Sequence, residues 1–248
     1  MVDHILYHLC IDIGNTRVKY GIFQSEELID VTSTEIDKIS DAIHELNESF
    51  NIGRMIVSST RRDIPHCLRE FGKNLPLYLE LSHETPLPIS LDYDTPETLG
   101  RDRIAGAVGA MSIYPGQAVI IVDAGTCITY DFLDQNSVFK GGNIAPGMRM
   151  RLQAMNSFTE KLPLAPFENQ NEILGKSTIK ALQNGAIQGT KFEIESFIMH
   201  MKQKFGALQV IFTGGDANNF VDFFYSKIFV VQNLVLIGLN KIINHNAN

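Results

Sequence analysis

A chain of 248 residues with 44% hydrophobic and 20% charged side chains carries enough apolar material for a full core, which excludes disordered, collagen-like and disulfide-miniature classes. Its net charge of −7 argues against nucleic acid or an anionic membrane as a partner, though not against an anionic ligand held by a few backbone N–H groups. Cys10, Cys67 and Cys127 are odd in number and lack C-x-x-C spacing, which fits a reducing compartment better than a secreted framework.

The opening reads as a strand over Ile5–Ile13, a turn at Gly14–Asn15, a returning strand over Arg17–Gln24 and a third over Glu27–Ser33. Ile36, Ile39, Ile43 and Leu46 have helical spacing, predicting a helix over Ile36–Phe50. A buried strand at Met55–Ser59, a helix near Ile64–Phe71 and a strand at Leu77–Leu81 follow. Ser82–Leu99, with its prolines, is expected to be a loop with extended pieces, and Asp102–Tyr114 a helix. Then the opening plan returns: a strand at Ala118–Asp123, a turn at Ala124–Gly125, and strands at Cys127–Phe132 and Ser137–Lys140. Gly141–Gly147 reads as a glycine-rich loop, which either lines a cleft or simply connects. Helices are expected over Met148–Asn156, Ser177–Lys204 and Asn233–Ile243, with a strand at Val210–Thr213. The apolar runs near Ala118–Val122 and Leu234–Leu239 are too short to cross a bilayer, and no signal peptide is visible, so a cytoplasmic protein without membrane partners is expected.

The repetition is the informative feature. Asp12-Ile13-Gly14-Asn15-Thr16 and Asp123-Ala124-Gly125-Thr126 each end an apolar strand and open a hairpin. One such turn is commonplace; two at equivalent places suggest phosphate chemistry. Glycine lets the backbone approach a phosphate, turn N–H groups and a threonine hydroxyl donate to it, and the aspartate handles a cation. Lys19 either faces the phosphates or stands exposed on its hairpin. Thr213-Gly214-Gly215-Asp216-Ala217 is either a nucleotide-binding turn before a helix or an ordinary one capped by Asp216. Gly100-Arg101-Asp102-Arg103 sets a carboxylate at a helix amino terminus, which is the place of a cap. The same environment holds it ionised, as an acceptor for an alcohol proton in phosphoryl transfer must be, and Arg103 adds a planar fork for a carboxylate or phosphate. The histidines are scattered, His4 and His8 do not make a metal pair, and zinc, serine-hydrolase and Walker A patterns are absent from the sequence.

The paired hairpins, Gly100–Arg103, the loop Gly141–Gly147 and the turn Thr213–Ala217 together resemble the type III pantothenate kinases, of the acetate and sugar kinase/actin superfamily. The resemblance implies an α/β fold, duplicated and ribonuclease-H-like (actin-like). It has two mixed sheets flanked by helices, domains over 1–115 and 116–248, and an active site in the cleft between them. It implies a homodimer that phosphorylates pantothenate with ATP to 4′-phosphopantothenate, the first step of coenzyme A synthesis. By the same resemblance Asp12, Ile13, Gly14, Asn15, Thr16, Arg17, Val18 and Lys19 would form the first ATP phosphate loop, and Thr126 would also contact ATP. Asp102 would be the general base. Gly100, Arg101, Asp102 and Arg103 would hold pantothenate, with Tyr93 and Thr178 completing the pocket. Asp123 would bind a monovalent cation, potassium or ammonium, alongside magnesium carried with ATP. Two departures stand out. Arg101 replaces a common alanine, so it either tunes substrate binding or points to solvent, and Cys127 replaces another alanine. The alternatives are a kinase for another small hydroxyl substrate and a nucleotide-binding regulatory or scaffold protein of the same fold.

Overall fold

Alternation along the first strand decides which residues face which layer. The computed structural model describes residues 6–168, 172–221 and 229–247, so Ile5 and His4 lie outside the described residues. The chain begins with β1 (Tyr7–Ile13), β2 (Val18–Gln24), β3 (Glu27–Thr34), α1 (Ile39–Ser49), β4 (Ile52–Ser59), α2 (His66–Lys73), β5 (Leu77–Glu80), β6 (Ser90–Leu91) and α3 (Arg101–Ile113). It continues with β7 (Val119–Ala124), β8 (Cys127–Leu133), β9 (Val138–Pro146), α4 (Met148–Ser157), α5 (Thr178–Phe205), β10 (Gln209–Thr213), β11 (Phe229–Val230) and α6 (Leu234–His245).

Two units make up the chain. The first takes the residues up to Gly116, then Leu133–Lys140 and the stretch from Asn233 onward; the second takes Gln117–Phe132 and Gly141–Gln232. In the first, the sheet runs β3-β2-β1-β4-β5, with β1, β4 and β5 parallel and β2 and β3 antiparallel neighbours. Leu9, Ile11 and Ile13 of β1 face Ile39, Ile43 and Leu46 of α1 and Leu68 of α2, and this forms a dry core. His8, Cys10 and Asp12 take the other face, where α3 and α6 lie against each other and against β4, and α6 also against β1. The closing helix therefore belongs with the first unit, because α3 offers it a seam of small residues. A side chain at Gly238 would run into the Ala105 carbonyl and come within 2.9 Å of the Gly109 nitrogen.

A buried polar link crosses the same face. His8 Nδ1 and Asn240 Oδ1 lie 2.9 Å apart, and Asn240 Nδ2 donates to the Ser25 carbonyl at 2.8 Å. Burial pushes the His8 imidazole below its ordinary value, against the smaller raising effect of Asn240. The unfolded chain therefore takes up a proton first as pH falls, so His8's contribution is whole above about pH 6.5 and shrinks below it. His8→Gln is expected to flatten the loss of unfolding midpoint between pH 7.5 and pH 5.5, about a unit either side of that value; thermal melts at both pH values check it, and an unchanged slope would remove His8 as a contributor.

The second sheet runs β11-β10-β7-β8-β9-β6. Setting β6 aside, it repeats the first sheet strand for strand, with β7 in the place of β1 and β10 parallel to β7 and β11 as β4 is to β1 and β5. The expected duplicated, actin-like α/β plan is what the chain adopts. In the second unit Ile120, Val122, Ile128, Tyr130 and Phe132 pack with Ile187, Ile194 and Ile198 of α5.

Three expectations need correction. Gly141–Pro146 is not a loop but the second half of β9, pairing with β6 only at Val138 and Phe139. Past that point β9 lacks β6 as a neighbour, so glycines and a terminal proline are tolerated there. Among the described residues the turn after β10 opens a 3-10 turn, Ala217–Phe220, where a regular helix was expected. The predicted helix from Ile36 begins with a 3-10 turn over Ile36–Lys38 before α1.

Candidate functional site

In the first unit the hairpin between β1 and β2 sets Asp12 opposite Lys19 in register, so both side chains share one face of the sheet. Ile13 and Val18, the next pair, are buried on the opposite face in the core, so only their backbone is available to a ligand. Between them the turn closes with Gly14 N–H donating to the Arg17 carbonyl at 3.0 Å, and Asn15, Thr16 and Arg17 are exposed. Arg61, which sequence reasoning missed, clamps this turn from outside. Its Nε donates to the Gly14 carbonyl at 3.2 Å and its Nη2 to the Asn15 carbonyl at 2.7 Å. The only sequence signal was an arginine two residues beyond the end of a parallel strand.

Asp102 lies in the first turn of α3, with Gly100 as the N-cap residue. Its Oδ1 accepts from the Arg103 backbone N–H at 2.9 Å, and a Cβ on Gly100 would sit 2.6 Å from that same oxygen. The glycine is thus the space into which the carboxylate folds. Burial raises the Asp102 carboxyl above its ordinary range, outweighing the Arg103 N–H and the Arg103 charge. This reverses the direction expected from a helix amino terminus alone, and it makes Asp102 a better proton acceptor.

Arg101 is half-buried, and its guanidinium donates to backbone carbonyls, to Leu99 at 2.7 Å and Glu97 at 3.0 Å, and so ties the turn before α3 to the helix start. Arg103 is buried, with its guanidinium carbon 5.9 Å from the Tyr93 ring centre and 5.7 Å from that of Phe139.

In the second unit Asp123, the next-to-last residue of β7, stands opposite Thr213 of β10. Gly214 follows at φ 89°, a conformation that favours glycine, and a Cβ there would collide with the Asp123 carboxylate and lie 2.7 Å from the Ala124 carbonyl carbon. The Asp216 N–H donates to the Ala124 carbonyl at 2.9 Å, and Gly147 N–H to the Thr126 carbonyl at 3.1 Å. Both glycine motifs therefore fold onto the second hairpin. Burial raises the Asp216 carboxyl, and the charge of Arg149 pulls it part of the way back. Thr126 is exposed at the turn, Cys127 half-buried, and Thr178 exposed as the first residue of α5.

At the Gly214 turn the Asp123 carboxylate and the Ala124 carbonyl come close together, and both are oxygen donors. That set suits a hard cation. Among the described residues no group of three or more His, Cys, Asp or Glu side chains could hold a metal ion. No helix among the described residues is long and apolar enough to cross a membrane.

A family model described as type III pantothenate kinase matches residues 8–200. The type III pantothenate kinase of Phocaeicola vulgatus is 41% identical over 242 residues, covering 96% of this chain and 98% of its own. That of Cytophaga hutchinsonii is 38% identical over 243 residues, covering 97% and 100%. Among solved structures, a Campylobacter jejuni protein assigned by its name to the Baf family of transcriptional activators superposes with TM-score 0.63 at 24% identity, covering 97% of this chain and 99% of that one. The inorganic polyphosphate/ATP-glucomannokinase of Arthrobacter gives 0.53 at 12% identity, covering 97% and 99%. These two likenesses bear on the fold alone.

Proposed function

This chain belongs to the type III pantothenate kinase family, and from that membership we infer the work of each site residue. The protein is a phosphotransferase that moves the γ-phosphoryl group of ATP to the hydroxyl of pantothenate, within coenzyme A biosynthesis. Asp102 accepts the hydroxyl proton as the pantothenate oxygen forms its bond to the γ-phosphorus, the bond to the bridging oxygen breaks, and ADP leaves. The observation that carries this assignment is a carboxylate folded against Gly100, with its proton affinity raised by burial.

Gly100, Arg101, Asp102 and Arg103 hold pantothenate, with Tyr93 and Thr178; the role of Arg101 is to fix the backbone of that segment through the carbonyls it binds. The loop from Asp12 to Lys19, with Thr126, holds ATP. A divalent metal bound with ATP would neutralise charge on the phosphates. Asp123 holds a monovalent cation, supported by its oxygen surroundings. The protein works as a homodimer in the cytoplasm, with the chain first passing from one domain into the other near residue 115.

Following ADP release with magnesium-ATP and pantothenate, with and without potassium or ammonium, tests the reading. Release that needs pantothenate and a monovalent cation is expected, and Asp123→Ala should abolish the cation response. Release independent of the cation would remove the Asp123 assignment. Binding of ATP without any ADP would bring the regulatory reading forward.

A further inference from the structure

Across β2, β1 and β4 the register lines up Lys19, Asp12 and Ser58 in one row on one face of the first sheet. The row beneath it, Gly21, Cys10 and Ile56, has no strongly polar group. Lower still, the polar groups have partners: His8 meets Asn240, and Arg54 Nη1 donates to Asn244 Oδ1 at 3.2 Å. Ser58 differs. Its residue is 0% exposed, and its hydroxyl has no hydrogen-bond partner among the described residues. An alanine would fill that place without a stranded, buried hydroxyl, which is costly to leave unpaired. Facing residues on neighbouring strands have Cβ atoms about 5 Å apart, so a rotation about χ1 brings the Ser58 hydroxyl toward the Asp12 carboxylate.

We propose that Ser58 is a positioning residue for Asp12: with magnesium-ATP bound, its hydroxyl donates to the Asp12 carboxylate and fixes the rotamer in which that carboxylate meets the nucleotide. The proposal rests on the reading that the Asp12–Lys19 loop holds ATP. Ser58 touches neither nucleotide nor substrate, so its effect falls on nucleotide binding and not on the chemical step.

The test measures ATP and pantothenate KM, kcat, the magnesium midpoint and the unfolding midpoint of Ser58→Ala and Ser58→Cys. Loss of a hydrogen bond to a charged group predicts an ATP KM raised about tenfold or more in Ser58→Ala. The magnesium midpoint should move upward with it, the pantothenate KM should hold, and the ligand-free unfolding midpoint should hold or rise, since alanine removes the stranded hydroxyl. Ser58→Cys, nearly the same size with a weaker donor, should fall between. An ATP KM and magnesium midpoint equal to the parent's would overturn the proposal and leave Ser58 a merely stranded hydroxyl. If Ser58→Ala does not fold, a parental ATP KM in Ser58→Cys overturns it equally. Asp12→Asn separates the two levels: an unchanged ATP KM there would sink the ATP assignment of Asp12 itself, whatever Ser58 does.

Discussion

Asp102→Asn is expected to lower kcat about 10²–10⁴-fold, the usual contribution of a positioned proton acceptor, while ATP still binds. The amide keeps an oxygen to accept from the Arg103 N–H and fits the same space against Gly100, so the fold has no reason to fail. It has a reason to improve. A carboxyl whose proton affinity is raised by folding contributes stability below its unfolded pKa of about 3.9 and loses it as pH rises through the folded value. At neutral pH the ionised Asp102 is therefore a cost, and the neutral amide removes it. The unfolding midpoint of Asp102→Asn at neutral pH should equal or exceed the parent's. The parent's kcat/KM should also carry an acid limb above the ordinary carboxylate range. Steady-state kinetics across pH and a thermal melt check both; parental turnover in the variant would remove Asp102 as the base.

Gly238→Ala is expected to destabilise the protein by about 3 kcal/mol or more, since overpacking of a tight core costs about 1–3 kcal/mol even where side chains can move. Here the obstacle is backbone, the Ala105 carbonyl and the Gly109 nitrogen, which cannot rotate away. At about 2–4 °C per kcal/mol for a chain of this size, the unfolding midpoint should fall by about 10 °C. Gly185→Ala is the control. It lies on α5, nothing stands within 4 Å of an added Cβ, and alanine should gain up to about 1 kcal/mol in helix propensity. Circular-dichroism melts of the two variants should move in opposite directions. A harmless Gly238→Ala would mean that α3 and α6 are not packed through this seam.

Much of this was legible because the signals were local. Two aspartate–glycine turns at the ends of apolar strands marked the hairpins, and the strands beside them are buried along most of their length, as continuous apolar runs predict. What was hidden depended on distant partners. Nothing in Ser82–Leu99 shows that Ser90 and Leu91 pair with Val138 and Phe139, because two residues carry no period. The glycines of β9 read as a loop because punctuation by Gly and Pro cannot tell a turn from an unpartnered strand edge. The raised Asp102 carboxyl was illegible because burial is a tertiary property, whereas the helix start that argued the other way is written beside it. Arg61 and Ser58 were passed over as ordinary strand-end residues, since their meaning comes from the neighbours the sheet supplies.

The seam between α3 and α6 also bears on how the molecule comes to exist. The first unit is not finished when its first 116 residues have been made; one of its covering layers arrives with residues 234–245. During synthesis, which runs at about 5–20 residues per second, a nascent chain halted before that point lacks Asn240 for His8 and Asn244 for Arg54. The second unit's segments are all translated inside that wait. A product that ends before α6 therefore lacks the helix that packs on β1 and β4 and leaves part of that sheet face uncovered.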